Sequence, residues 1–236
     1  MSKMEKKSGI PFWGQIAAIL LMGVIASAVV RGLLPKLQET QPEVWHSVTF
    51  AEQDGTTLDV KEVPDGKGIF PPEYPCEGVF RGWSGRINRV TCDVEVHPVV
   101  HHIAEDNLFY FHSVYVREGD EFNLDICLGG RVSLSRGQLT VFYDSEVLKY
   151  TGAAPADWCQ VSEGAAGELT LMFDSECPIR EETVLAQLTF QALEKDVYTT
   201  EIQLSASNVE LVTNEQTIPA NVATINNKIF FLQEVG

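Results

Sequence analysis

The chain has 236 residues, 44% of them hydrophobic and 21% charged, which is enough apolar content for a buried core and too much for disorder throughout. Its formal charge of −16 is unevenly spread: Lys3, Lys6, Lys7, Arg31 and Lys36 lie in the first 36 residues beside one acid, Glu5, and taking these from 17 basic and 33 acidic residues leaves 12 and 32, about −20 from position 37 onward. Such a surface repels phosphates and anionic headgroups, which argues against a nucleic-acid partner and favours solubility or a basic partner.

Residues 1–9 carry the three lysines and read as a cytoplasmic N-terminus. Residues 8–30 hold no charged side chain, and at 1.5 Å per residue these 23 positions make a helix of roughly 34 Å, against a hydrocarbon core of about 30 Å. Phe12 and Trp13 suit an interfacial belt at its start. Residues 10–34 are therefore expected to be a transmembrane anchor, which would make the protein single-pass with its C-terminal part outside the cell. The alternative is a signal segment cleaved after Ala28, since "ASA" at 26–28 places small residues where a signal peptidase inspects them. Residues 35–45, polar and with two prolines, read as a stalk.

Residues 46–102 change character. "WHSVTFAEQDGTTLDVKEV" shows two alternating runs about Asp54 and Gly55, a hairpin signature in which glycine supplies the positive φ. "GVFRGWSG" and "RVTCDVEVHPV" give two further short strands, and no helical period is long enough to read as a helix. The run "DGTTL", "PPEYPCEGVFRGWSG" and "VTCDVEV" resembles the B-repeat of bacterial internalin surface proteins (the Listeria–Bacteroides repeat), a small β-grasp-like module. Gly78, Phe80, Gly82 and Trp83 are its most specific part: the glycines turn the chain or admit close backbone approach, and the aromatics fill a core too small for aliphatics alone. The resemblance implies a spacer or adhesive unit on a cell surface.

From 103 to 236 the strands follow one another as "SVYVREG", "EFNLDICL", "QLTVFYD", "ELTLMFD", "VLAQLTFQAL", "TTEIQLSASNVEL" and "KIFFL", separated by Gly, Asp, Asn, Pro and Ser clusters. The expected fold class is all-β: a sandwich or jelly roll behind the small module and the N-terminal helix. In "QLTVFYD" Leu139, Val141 and Tyr143 share one face and Gln138, Thr140 and Phe142 the other, with Val147 and Leu148 closing the core edge after the turn at Asp144 and Ser145. "LTVFYDSEVLKYTG", with "YVREGDEFNLDICL" before it and "VLAQLTFQA" and "IPANVATINNKIFFL" after it, resembles the cohesin domain of cellulosome-type assemblies over about residues 114–233.

That resemblance implies a protein-binding face on the sheet formed by the third, fifth, sixth and eighth strands. Its residues here are Gln138, Thr140 and Phe142, then Thr170 and Met172, then Gln187, Thr189 and Gln191. An outward Phe beside an outward Met fits an interaction patch. The implied partner is a dockerin-bearing secreted protein such as a polysaccharide-degrading enzyme. Cohesins of the best-known type carry Asn and Asp near the positions of Gly137 and Gln138, and this chain departs from them there.

Chemistry of other kinds has little to stand on. Asp120, Asp144, Asp174 and Glu176 sit in or beside predicted turns, where capping the backbone accounts for them. His97, His101 and His102 fall at the expected junction with no matching acidic or cysteine motif, so a solvated linker is favoured over a metal site. No EF-hand loop, GxSxG, P-loop or Cys/His signature occurs, so neither an enzyme, a cofactor nor a resident metal is expected. The five cysteines contain no CxxC; Cys76 with Cys92 and Cys159 with Cys177 each span a loop that a disulfide would close, leaving Cys127 on a strand, although buried thiols serve equally. The competing functional class is a surface adhesin or carbohydrate-binding module, with Trp158 and Tyr150 as candidate stacking residues.

Overall fold

Alternating apolar and polar side chains become most of the strands of the described chain. The structure, a computed structural model, describes residues 43–103, 107–130, 134–179, 183–193, 196–213 and 216–233, and these form seventeen strands and no helix. The expected anchor at 10–34 lies outside the described residues. Among the described residues no helix is long and apolar enough to cross a membrane.

The first strands are β1 (Trp45–Ala51) and β2 (Thr57–Pro64), an antiparallel hairpin. Its turn is built as the sequence predicts: Gly55 has φ +87°, and Asp54 Oδ1 accepts the Thr56 N–H at 2.9 Å. β4 (Val94–Val96) joins β1 in parallel, while β3 (Val79–Trp83) pairs with β5 (Pro98–His101) in a separate two-stranded sheet. Val48, Phe50, Val63, Trp83, Ile87, Val90 and Val96 make the core of this part, with the Phe50 and Trp83 rings edge to face at 4.8 Å.

The remaining strands are β6 (Leu108–Tyr110), β7 (Val114–Val116), β8 (Glu121–Gly129), β9 (Leu134–Phe142), β10 (Leu148–Pro155), β11 (Cys159–Glu163), β12 (Glu168–Ile179), β13 (Thr183–Ala192), β14 (Thr199–Thr213), β15 (Gln216–Pro219), β16 (Ala223–Thr224) and β17 (Asn227–Phe231). One sheet runs β10-β13-β8-β6-β16; the other runs β11-β12-β9-β14-β17-β7, with β15 beside β14. Between them lie Leu124 and Ile126, Leu139 and Val141, Leu169, Leu171 and Phe173, Leu188 and Phe190, and Ile202 and Leu204, all buried. The result is an all-β sandwich. β10 and β11 were not legible as strands: "LKYTGAAP" has small residues and a proline in place of an alternation, and its extended form comes from pairing with β13.

Residues from Val44 onward form one compact unit, and the expected boundary at 102–103 is bridged by specific contacts. Asn227 is buried, and its Nδ2 donates to the carbonyls of Phe80 and Phe111 at 2.9 Å each, while its Oδ1 accepts from Ser113 Oγ at 2.6 Å. The Phe80 N–H donates to His112 Nδ1 at 3.0 Å, and the Trp83 N–H donates to Tyr115 Oη at 2.9 Å. Burial pushes the Tyr115 phenol up to about 12, against the opposing pull of that Trp83 N–H. Tyr115 stacks on Phe230 at 4.7 Å, directly over Gly82, where φ is +105° and an added Cβ would fall 2.9 Å from the Phe230 ring.

A bridge between Cys76 and Cys92, which their spacing allows, is not formed. Cys76 leads into the β3–β5 sheet and its Sγ donates to the Gly78 carbonyl at 3.7 Å, whereas exposed Cys92 leads into β4 on the other sheet. Cys159 is a buried thiol rather than one end of a second bridge, and burial pushes it up to about 11; Cys127, on β8 as expected, is pushed up to about 12 in the same way. The Cys177 side chain lies outside those described.

Candidate partner-binding face

The face grows outward from β9. Leu139 and Val141 point into the core, so the pleat sends Gln138, Thr140 and Phe142 to the opposite side. On one flank β12 sets Met172 opposite Gln138, Thr170 opposite Thr140 and Glu168 opposite Phe142. On the other, β14 sets Ser207, Ser205 and Gln203 opposite the same three residues. β11 extends the face with Gln160 beside Met172 and Ser162 beside Thr170. Phe142 is 41% and Met172 57% exposed, while Thr140 is nearly covered by its neighbours.

Two properties set this surface apart. Its middle carries no charge: Glu168 stands opposite Phe142 at one end, with Glu201 beyond it opposite Lys228, and Arg136 stands opposite Asp174 at the Gln138 end. Among the described residues, the side chains of Gln138, Thr140, Gln160 and Gln203 also have no hydrogen-bond partner in the protein, although Ser162 Oγ donates to the Thr170 carbonyl at 3.4 Å. Their hydrogen-bonding capacity is open to water or to a binding partner.

Gln187, Thr189 and Gln191 do not join it. They lie on β13, in the opposite sheet, because β13 pairs with β8 and β10 whereas β12 pairs with β9 and β11. Consecutive strands have crossed between sheets, so the eight residues expected on one face divide five and three. On β13 two of the three side chains are already engaged: Gln187 Nε2 donates to Asp125 Oδ1 at 2.9 Å and Thr189 Oγ1 donates to Asn123 Oδ1 at 3.0 Å, while Thr151 Oγ1 donates to the Thr189 carbonyl at 3.2 Å. Sequence reasoning missed Gln160, Ser162, Gln203, Ser205 and Ser207. The alternation of "TTEIQLSASNVEL" contained the last three, but nothing local said that β14 lies beside β9.

At the Gln138 end the face deepens into a groove of about 450 Å³ that includes Trp158. Tyr150, the other candidate stacking residue, instead packs edge to face on Phe190 at 5.9 Å and is not among the groove residues. Asp144 caps its turn by accepting the Glu146 N–H at 2.9 Å, and Asp120 accepts the Arg117 N–H at 3.1 Å. Asp174 is exposed within β12 and not in a turn; the Glu176 side chain lies outside those described. His97 Nδ1 meets the carbonyls of Ala51 and Glu52 at 3.1 and 3.0 Å, so it is tied to the hairpin turn and is not part of a loose linker. Among the described residues no three His, Cys, Asp or Glu side chains come together as a metal site.

The chain matches no protein-family model and no curated protein sequence. Solved structures do resemble it. The seventh ScaB type I cohesin from Pseudobacteroides cellulosolvens is 11% identical and matches over 56% of this chain and 95% of its own, with a TM-score of 0.51. The sandwich is cohesin-like in fold. The sixth cohesin of scaffoldin B from Acetivibrio cellulolyticus, solved with a Cel5 dockerin mutant, is 18% identical over 53% of this chain and 99% of its own, at TM-score 0.45. A non-cellulosomal cohesin from the archaeon Archaeoglobus fulgidus is 12% identical over 54% and 92%, also at 0.45. In the cohesin-like sandwich of this chain, the uncharged face belongs to the sheet centred on β9 and β12.

Proposed function

We propose that this protein is a membrane-held surface protein whose cohesin-like sandwich recruits a dockerin-bearing partner, such as a secreted polysaccharide-degrading enzyme, and that it performs no catalytic step of its own. The observation that carries this reading is the face of β11, β12, β9 and β14: its middle is uncharged, Phe142 and Met172 are exposed on it and several polar side chains are unused, on a chain of formal charge −16. The partner class comes from the sequence resemblance to cohesins and is supported by the cohesin-like fold. In this reading residues 46–102 are a B-repeat-like spacer, and residues 10–34, behind Lys3, Lys6 and Lys7, hold the chain in the membrane.

The test is capture of secreted proteins by the full chain, followed by identification of what is held. Captured proteins should carry a dockerin, and capture should be lost with a calcium chelator, because a dockerin needs its calcium ions to fold. Capture that survives chelation, or of proteins without a dockerin, refutes the reading. Anchoring is checked separately by intact mass: a mature chain starting at Val29 in the medium would refute it.

A further inference from the structure

We infer that the groove at the Gln138 end of the outer sheet is a binding site for a neutral oligosaccharide. The groove lies where β14 slips against β9 while β12 still holds it. β14 loses register after Ser207, opposite Gln138, whereas β12 stays paired through Asp174, opposite Arg136, and loses register only beyond it. Bulges of this kind re-aim side chains next to sites. Asn208 sits in the β14 irregularity at φ +54°, a left-handed conformation that residues other than glycine seldom adopt, and it lines the groove. At the floor Gly137 has no room for a side chain, since an added Cβ would lie 2.6 Å from the Phe173 ring.

The lining chemistry selects the ligand. Trp158 is half-buried and offers an aromatic surface to the C–H face of a pyranose ring. Around it stand the amides of Gln138, Gln160 and Asn208, which have no protein hydrogen-bond partner among the described residues, together with exposed Asp157 and Asp174. An amide both donates and accepts, as does each hydroxyl of a sugar, and a carboxylate accepts from two neighbouring hydroxyls. The volume of about 450 Å³ falls within the roughly 300–1,000 Å³ of small-ligand sites. Charge excludes acidic sugars and phosphates: two carboxylates line the groove, and its one cation, Arg136, is engaged by Glu210 at 2.6 Å. Phe142 lies four residues along β9 and outside the groove, so the site stands apart from the exposed aromatic of the partner-binding reading.

The experiment titrates the full chain with cellohexaose, xylohexaose, laminarihexaose and hexagalacturonate, followed by calorimetry and tryptophan fluorescence. At least one neutral hexasaccharide should bind saturably and change the fluorescence, and hexagalacturonate should not bind. Asn208→Gly should weaken that binding at least about tenfold without lowering the melting temperature, because glycine accepts the positive φ freely. Gln160→Ala, an exposed change, should also weaken it, and Phe142→Ser should bind sugar as the unaltered chain does. The proposal is overturned if no neutral hexasaccharide binds at millimolar concentration, or if binding survives both groove substitutions. It is equally overturned if those substitutions abolish protein capture while no sugar binds, which would assign the groove to the protein-binding face.

Discussion

The two outer faces of the sandwich are made of the same kinds of residue and are in different states. On β13 and β8 the polar side chains bond one another across the strands, as Gln187 does with Asp125 and Thr189 with Asn123. On β9, β12 and β14 the equivalent residues have no such partners, and two large apolar side chains stand among them. At Gln187 and Thr189 the first face has spent its hydrogen bonds within the sheet, so a binding partner would have to break them. The second can give its own to a partner while burying Phe142 and Met172, which is the cheaper surface to dock on.

The sharpest way to break this comparison is to test the register of β9 from its buried side. Leu139→Ala should cost about 2–5 kcal/mol as a core truncation, read by calorimetry. If it is mild while Phe142→Ser unfolds the protein, the strand is offset by one residue and the proposed face is the core. With the register standing, Phe142→Ser should leave the melting temperature nearly unchanged and weaken partner binding at least tenfold, about 1.4 kcal/mol. The control on the other sheet is Gln187→Ala, which should cost less than about 1 kcal/mol of stability and leave partner affinity as it was. A loss of affinity there would move the binding face to the β13 sheet.

The smallest effect separates the faces by pH. His112 accepts the Phe80 N–H on Nδ1, which only the unprotonated nitrogen can do, and burial holds its imidazole below the ordinary 6.5 although Asp125 pulls the other way. Since the folded value lies below the unfolded one, the unfolded chain takes up the proton first. The stabilisation is then complete above about pH 6.5 and is lost progressively as the pH falls below it. The melting temperature should therefore decline between about pH 7 and pH 5.5 by a component that His112→Gln removes. The uncharged face should keep its partner affinity over the same interval; a parallel loss would mean that the junction and the face are coupled.

Much of this was legible in the residues, where the signal was local. The inward and outward sides of β9 follow from the period of two in "QLTVFYD", and Leu139, Val141 and Phe142 are placed accordingly. The turn at Asp54 and Gly55 follows from backbone preferences that a four-residue window contains. Elsewhere the local reading was insufficient. Asp174 looked like a turn residue because aspartate favours turns, yet β12 continues through it, held by β9 at Arg136. Cys76 and Cys92 had a spacing that a disulfide would suit, yet each entered a different sheet.

The sequence by itself determined which side of each alternating strand is apolar, where the tight turns fall, and that the chain from position 37 onward is strongly acidic. These depend on nearest neighbours along the chain. Only the tertiary structure decided which strands stand side by side: that Gln203 and Ser205 join Phe142, that Gln187 and Thr189 go to the opposite sheet, and that Asn208 turns into a groove beside Trp158. Strand order is set by long-range pairing and by burial of both inner faces at once, and a period of two is the same whichever sheet a strand enters.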